Sequence, residues 1–273
     1  MTSVRTGGQL VTRYTTGVSN FLATDFISSL KPNSAGILLI DKPTGMSSHG
    51  AVNWARIETG QKTVGHAGTL DPLATGLLII LVGRAFTKRQ AEFLKLDKSY
   101  ECEVLLGVST DSYDSAGTVV RRASTAEMSG ITRQAAEAVL ANFCGDQLQK
   151  VPGYSAVKYK GKELYKLARV GKFKSEMAPT KQVHIFNLQL NSWQQDMKSG
   201  LFHASVSVHC SSGTYIRSLV HDWGEALGCG ATVMELRRMQ IGPLLVQNTL
   251  VCPILRTQSQ VQRRFDRLNP ELA

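Results

Sequence analysis

Residues 62–84 read KTVGHAGTLDPLATGLLIILVGR and hold a single carboxylate, Asp71, among Gly, Thr and aliphatic side chains. Between Lys62 and Arg84 no other side chain carries a formal charge. The run 77–82 is short, continuous and apolar, the length of a strand rather than of a helix. A carboxylate packed beside such a run is costly unless it is paired or put to use. The placing of this stretch therefore bears on both the fold and the chemistry.

Upstream, GILLIDKPTGMSS (36–48) reads as an apolar strand, a Lys-Pro-x-Gly turn, and Ser47 or Ser48 as N-cap of a helix over 49–59. Downstream, strand patterns run over 100–106, 183–191 and 201–209, and helical patterns over 84–95, 132–143, 162–170 and 215–227. In LFHASVSVHC (201–210), Phe202, Ala204, Val206 and Val208 share one face and His203, Ser205, Ser207 and His209 the other. Helices and strands mix without a regular βαβ repeat, so the expected class is α+β.

The 273 residues are 42% hydrophobic, ample for a packed core, and 31 Lys+Arg against 21 Asp+Glu give a formal charge of +10. That balance makes nucleic acid the first partner to test. Cations concentrate over 150–181, beside Tyr154, Tyr159, Tyr165 and Phe173. Such a segment combines phosphate attraction with rings that stack on bases, although a solvated surface helix has a similar composition. The five cysteines are widely spaced without a C-x-x-C pair, which points to a reducing compartment and no structural zinc. No apolar run approaches the roughly 18 residues of a spanning helix. A soluble, cytoplasmic protein is expected. Residues 1–35, rich in Ser, Thr and Gly, form an extension expected to be loosely ordered, compatible with a plain tail or with a mitochondrial transit peptide.

Several chemistries are excluded. ETGQKT (58–63) lacks the first Gly of a P-loop, and Ser211-Ser212-Gly213 lacks a nucleophile elbow. His209, Cys210, His221 and Cys229 have no metal-ligand spacing. Asp41 or Asp111 could pair with Asp71 only if the fold brought them close. Arg217, in SSGTYIRSLVHDWGEALG (211–228), opens a helix, from which it either reaches into a cleft or covers a helix face.

Five segments, in order, resemble the TruB-type tRNA pseudouridine synthases: GILLIDKPTGMSS, GHAGTLDPLATGLL, DKSYECEVLLGVSTDSYDSAG, YSAVKYKGKELYKLARVGK and CSSGTYIRSLVHDWGEALGCGA. The resemblance implies a pseudouridine synthase fold, a mixed central sheet flanked by helices, with a basic thumb inserted at about 147–180 in a catalytic domain over 36–245. It implies conversion of uridine to pseudouridine at position 55 of the tRNA T-arm stem-loop, by base flipping, with neither cofactor nor metal, in a monomer. By resemblance Asp71 is the nucleophile and Arg217 its partner, while Tyr100 stacks on the base and is a candidate for proton transfer. His66 fills the space vacated by the flipped base or holds neighbouring flipped nucleotides, and Lys42, Tyr154, Lys158, Lys160 and Lys162 bind RNA. Gly65, Gly68 and Gly76 let the loop approach RNA closely, and Pro72 stiffens it. The segment departs from the family pattern at QKVPGYSA (149–156), the thumb entrance, and at GRAFTKRQ (83–90), one residue longer than usual. Residues 246–273 are read as a short basic tail in place of a PUA domain. A pseudouridine synthase acting on another RNA stem-loop, and a noncatalytic RNA-binding protein, are the competing readings.

Overall fold

The structure is a computed structural model that describes residues 35–251 together with the short paired strands Val4–Thr6 and Gln9–Val11. The extension read over 1–35 and the tail over 246–273 lie largely outside the described residues.

The stretch that opened the sequence forms two strands, β2 (Val64–Ala67) and β3 (Thr75–Val82), with Asp71 in the loop between them. Every residue of β3 from Gly76 to Val82 is buried. Leu78, Ile80 and Val82 enter the main core, and Leu77, Ile79 and Leu81 enter a second cluster with Leu39, Ala67, Phe93 and Ile241. Both faces are covered, which is why the strand is continuously apolar rather than alternating. β1 (Gly36–Lys42) lies antiparallel on one edge of β3 and leads into α1 (Ser48–Thr59). Ser47 caps α1 by accepting from the Gly50 N–H at 3.0 Å.

The remaining sheet strands are β4 (Lys98–Leu106), β5 (Gly145–Lys150), β6 (Thr180–Gln195), β7 (Phe202–Cys210), β8 (Ala231–Ile241) and β9 (Leu250–Val251), with the two-residue Leu244–Leu245 paired to β8. Their order is β9-β1-β3-β8-β4-β7-β6-β5, parallel at β9/β1 and β3/β8 and antiparallel elsewhere. The mixed sheet agrees with the α+β expectation. α1, α2 (Arg133–Ala141) and α4 (Ile216–Ala226), the last following the short α3 (Leu164–Arg169), pack on one face, and Trp223 of α4 donates its indole N–H to the Ala136 carbonyl of α2 at 3.1 Å. The alternation in β7 holds: Phe202, Ala204, Val206 and Val208 are buried, whereas His203, Ser205, Ser207 and His209 are not.

Several elements differ from expectation, among them β2 and β5, which were not read as strands. The helix expected over 84–95 is broken into Arg84–Thr87 and Gln90–Leu94, the interruption falling at Arg89, which has φ −90° and ψ 7°. β8, at the centre of the sheet, was not foreseen.

Residues 151–179 form the thumb, with α3 (Leu164–Arg169), a two-rung hairpin at Lys158–Tyr159 and Lys162–Glu163, and a small core of Val151, Leu164 and Ala178. It begins after Lys150, later than the 147 read from sequence, because 145–150 is a sheet strand. Lys150 pairs with Thr180, and the Val151 N–H donates to the Pro179 carbonyl at 3.0 Å, so the segment is closed at its base. Among the described residues no helix is long and apolar enough to cross a membrane.

Candidate active site

Asp71 sits where the β2–β3 loop is held on three sides. From the Lys-Pro-x-Gly turn, the Gly45 N–H donates to Pro72 O at 2.6 Å and Thr44 Oγ1 to Leu73 O at 3.1 Å. Ser48 Oγ both donates to Leu70 O (3.0 Å) and accepts from the Leu70 N–H (2.8 Å). From β8, the Arg238 guanidinium donates to Leu77 O at 2.8 Å and Gly68 O at 3.0 Å. A loop so tied keeps its central carboxylate in one place.

Arg217, the second residue of α4, reaches Asp71 with Nε to Oδ2 at 2.8 Å and Nη2 to Oδ1 at 3.2 Å. Its side chain is 3% exposed against 35% for Asp71. The cation is therefore buried behind a carboxylate that opens to the cleft. The same guanidinium donates to Ser112 O at 2.7 Å and Tyr154 O at 3.0 Å, which fixes its plane. Asp114 Oδ2 lies 3.7 Å from Arg217 Nε. Burial pushes the Asp114 carboxyl up, and Arg217 with the hydrogen bonds from Ser112 and Ala116 opposes that rise. Of the carboxylates considered from sequence, Asp41 pairs with Arg237 at 2.6 Å and Asp111 accepts from Tyr154 Oη at 3.0 Å. The second carboxylate at Arg217 is Asp114.

The cleft has a volume of about 900 Å³, and Asp71, Tyr100, Arg217, Tyr154, Lys98 and Leu236 are among its lining. Tyr100 on β4 is 8% exposed; burial pushes its phenol up, and the Arg238 guanidinium beside it opposes the shift. Lys98, two residues earlier on the same face, donates to the carbonyls of Leu94 (2.8 Å) and Leu96, and burial pushes its ammonium down to about 8.

Residues 56–216 match the model of the TruB family pseudouridylate synthase N-terminal domain, and 217–255 that of the tRNA pseudouridylate synthase B C-terminal domain. The chain belongs to the TruB family. Similar proteins named tRNA pseudouridine synthase B include that of Stutzerimonas stutzeri, 42% identical over 84% of this chain and 71% of its own length, and that of Bordetella pertussis, 40% identical over 86% and 92%. In fold, the chain resembles one solved in a Cbf5-Nop10-Gar1 complex, with a TM-score of 0.58 and 23% identity over 85% of this chain and 59% of that one. A chain from an H/ACA RNP bound to a substrate RNA containing 2'-deoxyuridine gives 0.56 and 22%, over 79% and 50%. The TruB fold thus accounts for the mixed sheet and inserted thumb, and the match over 217–255 is to the TruB C-terminal domain rather than a PUA domain.

Against this TruB frame, several expected residues stand apart from the cleft. Lys42, expected on phosphate, is fully buried and donates to Pro43 O at 3.0 Å and Met46 O at 2.7 Å, so it stiffens the turn that clamps the loop. His66 is paired with Ile80 in the sheet and lies outside the lining; burial pushes its imidazole down, with Arg238 and His49 adding to the effect. Lys158, Lys160 and Lys162 are exposed on the thumb hairpin. The glycine requirement is internal: at Gly76 (φ +97°) a Cβ would stand 2.3 Å from the Arg238 carbonyl oxygen, whereas at Gly65 the first contact would be Thr87 at 3.6 Å. Three contributors were missed. Asp114 and Lys98 lay in the segment DKSYECEVLLGVSTDSYDSAG without a role, and Arg238 in a strand not recognised.

Proposed function

We propose that this chain isomerises uridine to pseudouridine in tRNA, at position 55 of the T-arm stem-loop, with Asp71 as the nucleophile. The observation that carries the reading is the largely buried carboxylate of Asp71 held through both oxygens by a buried arginine. A carboxylate shielded from water is more reactive, but it must stay ionised, and a fixed cation meets that requirement. Attack on C1′ breaks the N1–C1′ bond, and the uracil stays in the cleft and turns. C5 then bonds to C1′, Asp71 leaves, the C5 proton departs and N1 takes up a proton, so atoms balance without cofactor or second substrate.

A uridine stacked in an RNA loop meets Asp71 only after flipping out. Tyr100 then offers its ring to the base, and burial pushes its phenol up. The exposed cations of the thumb, Lys158, Lys160 and Lys162, with Tyr154 at its root, contact the RNA.

The test is pseudouridine formation in a T-arm stem-loop RNA by the native protein and by Asp71→Asn. Product from the first and a loss of at least ~10³-fold in the second is expected. Equal turnover by both would remove Asp71 from the chemistry.

A further inference from the structure

Tyr113 lies between two groups that meet the guanidinium of Arg217. The Ser112 carbonyl before it accepts from Arg217 Nη1 at 2.7 Å, and Asp114 Oδ2 after it stands 3.7 Å from Arg217 Nε. Tyr113 itself has φ +64°, in the left-handed region. That conformation ordinarily falls to Gly, Asn or Asp, and a bulky side chain adopts it at a cost that other contacts must offset. Backbone hydrogen bonds place the loop, from the Val233 N–H of β8 to the Tyr113 carbonyl at 3.1 Å and from the Tyr113 N–H to the Thr110 carbonyl at 3.2 Å.

The side chain adds a ring contact. Tyr113 and His221 stack with centroids 3.8 Å apart and planes 9° from parallel. His221 Nδ1 is buried and makes no hydrogen bond with any described residue, so the face of the imidazole carries the contact. His221 stands four positions after Arg217 on α4, one turn along the same side of the helix. The helix that carries the arginine therefore also carries the ring that braces the loop orienting it. Neither Tyr113 nor His221 lines the cleft, so their effect on a reaction there passes through Arg217.

We propose that the His221–Tyr113 stack sets the orientation in which Arg217 holds Asp71, making both rings positioning residues. This inference rests on the function proposed above.

The experiment follows the Arg217 Nε–H by heteronuclear NMR, its signal assigned by its loss in Arg217→Lys, together with single-turnover pseudouridine formation at saturating stem-loop RNA. The variants are Tyr113→Asn, which accepts the left-handed backbone but brings no ring, and His221→Ala. Each is expected to shift the Nε–H signal, speed its solvent exchange roughly 10-fold and slow turnover roughly 10-fold, with RNA affinity by anisotropy unchanged. Combining the two should slow turnover no further than either alone. His221→Phe keeps a flat face for Tyr113 and should hold both signal and rate near the native values. A signal that keeps its native shift and exchange in the single variants, or a rate loss that His221→Phe shares, overturns the proposal, because a merely structural stack would change only the stability to unfolding. Tyr113→Asn decides the matter alone if His221→Ala fails to fold. Absence of pseudouridine with the native protein would be a failure of the underlying reading, and the Nε–H signal would still decide the positioning.

Discussion

In the cleft, Arg217 is 3% exposed and distributes its N–H groups over Asp71, Ser112 and Tyr154, while at the thumb hairpin Lys158, Lys160 and Lys162 stand exposed on a two-rung ladder. The first region uses one charge at one orientation; the second uses several whose exact directions matter little. Fixed, desolvated groups act through geometry, and solvated ones act through a screened field. Substitutions that preserve charge but alter shape should therefore damage the cleft, and substitutions that remove charge should damage the thumb.

The largest effect is expected for Arg217→Lys, which keeps the cation and loses the two-pronged grip. Turnover should fall roughly 10²- to 10³-fold with stem-loop affinity nearly unchanged, as read by single-turnover kinetics and anisotropy. Retention of rate within a few fold would reduce the cleft to bulk electrostatics and erase the contrast. Next is Gly76→Ala, whose Cβ would meet the Arg238 backbone at 2.3 Å. A loss of about 3 kcal/mol or more in urea unfolding is expected. Replacing Lys158, Lys160 and Lys162 together by Ala should weaken RNA binding about 10-fold and lower the salt slope by roughly 2, leaving turnover at saturating RNA intact. An unchanged slope would take the hairpin out of the interface. The smallest is Gly161→Ala, also at positive φ (+82°) but with nothing within 4 Å of the added atom. It should cost only about 1 kcal/mol, and a cost matching that of Gly76→Ala would show that local conformation, not strand contact, dominates both.

What was legible in the sequence was whatever local pattern decides. β3 could be read because a strand covered on both faces is apolar throughout, β7 because it is covered on one, and α1 because Ser47 announces its start. β8 could not, because Glu235, Arg237, Arg238 and Gln240 interrupt its apolar pattern. Those charges are tolerated through distant partners: Arg237 meets Asp41, and Arg238 meets the carbonyls of Leu77 and Gly68. Lys42 was misread for the same reason, since a lysine at a turn looks solvated until the turn is seen to fold over it. Asp71 and Arg217 are 146 positions apart, and only the resemblance, not the spacing, brought them together on paper.

The closed base of the thumb has a consequence for how such a chain changes over time. Because Lys150 and Thr180 are neighbours on one ladder, the intervening residues return to the point from which they left. Closing such an excursion costs little more when it grows, about 0.6 kcal/mol for each doubling of length. Insertions and deletions beyond the Tyr154 root, whose carbonyl holds Arg217, can then accumulate without retuning the sheet that carries Asp71. The reach and selectivity of the molecule are free to diversify at a rate that its chemistry is not.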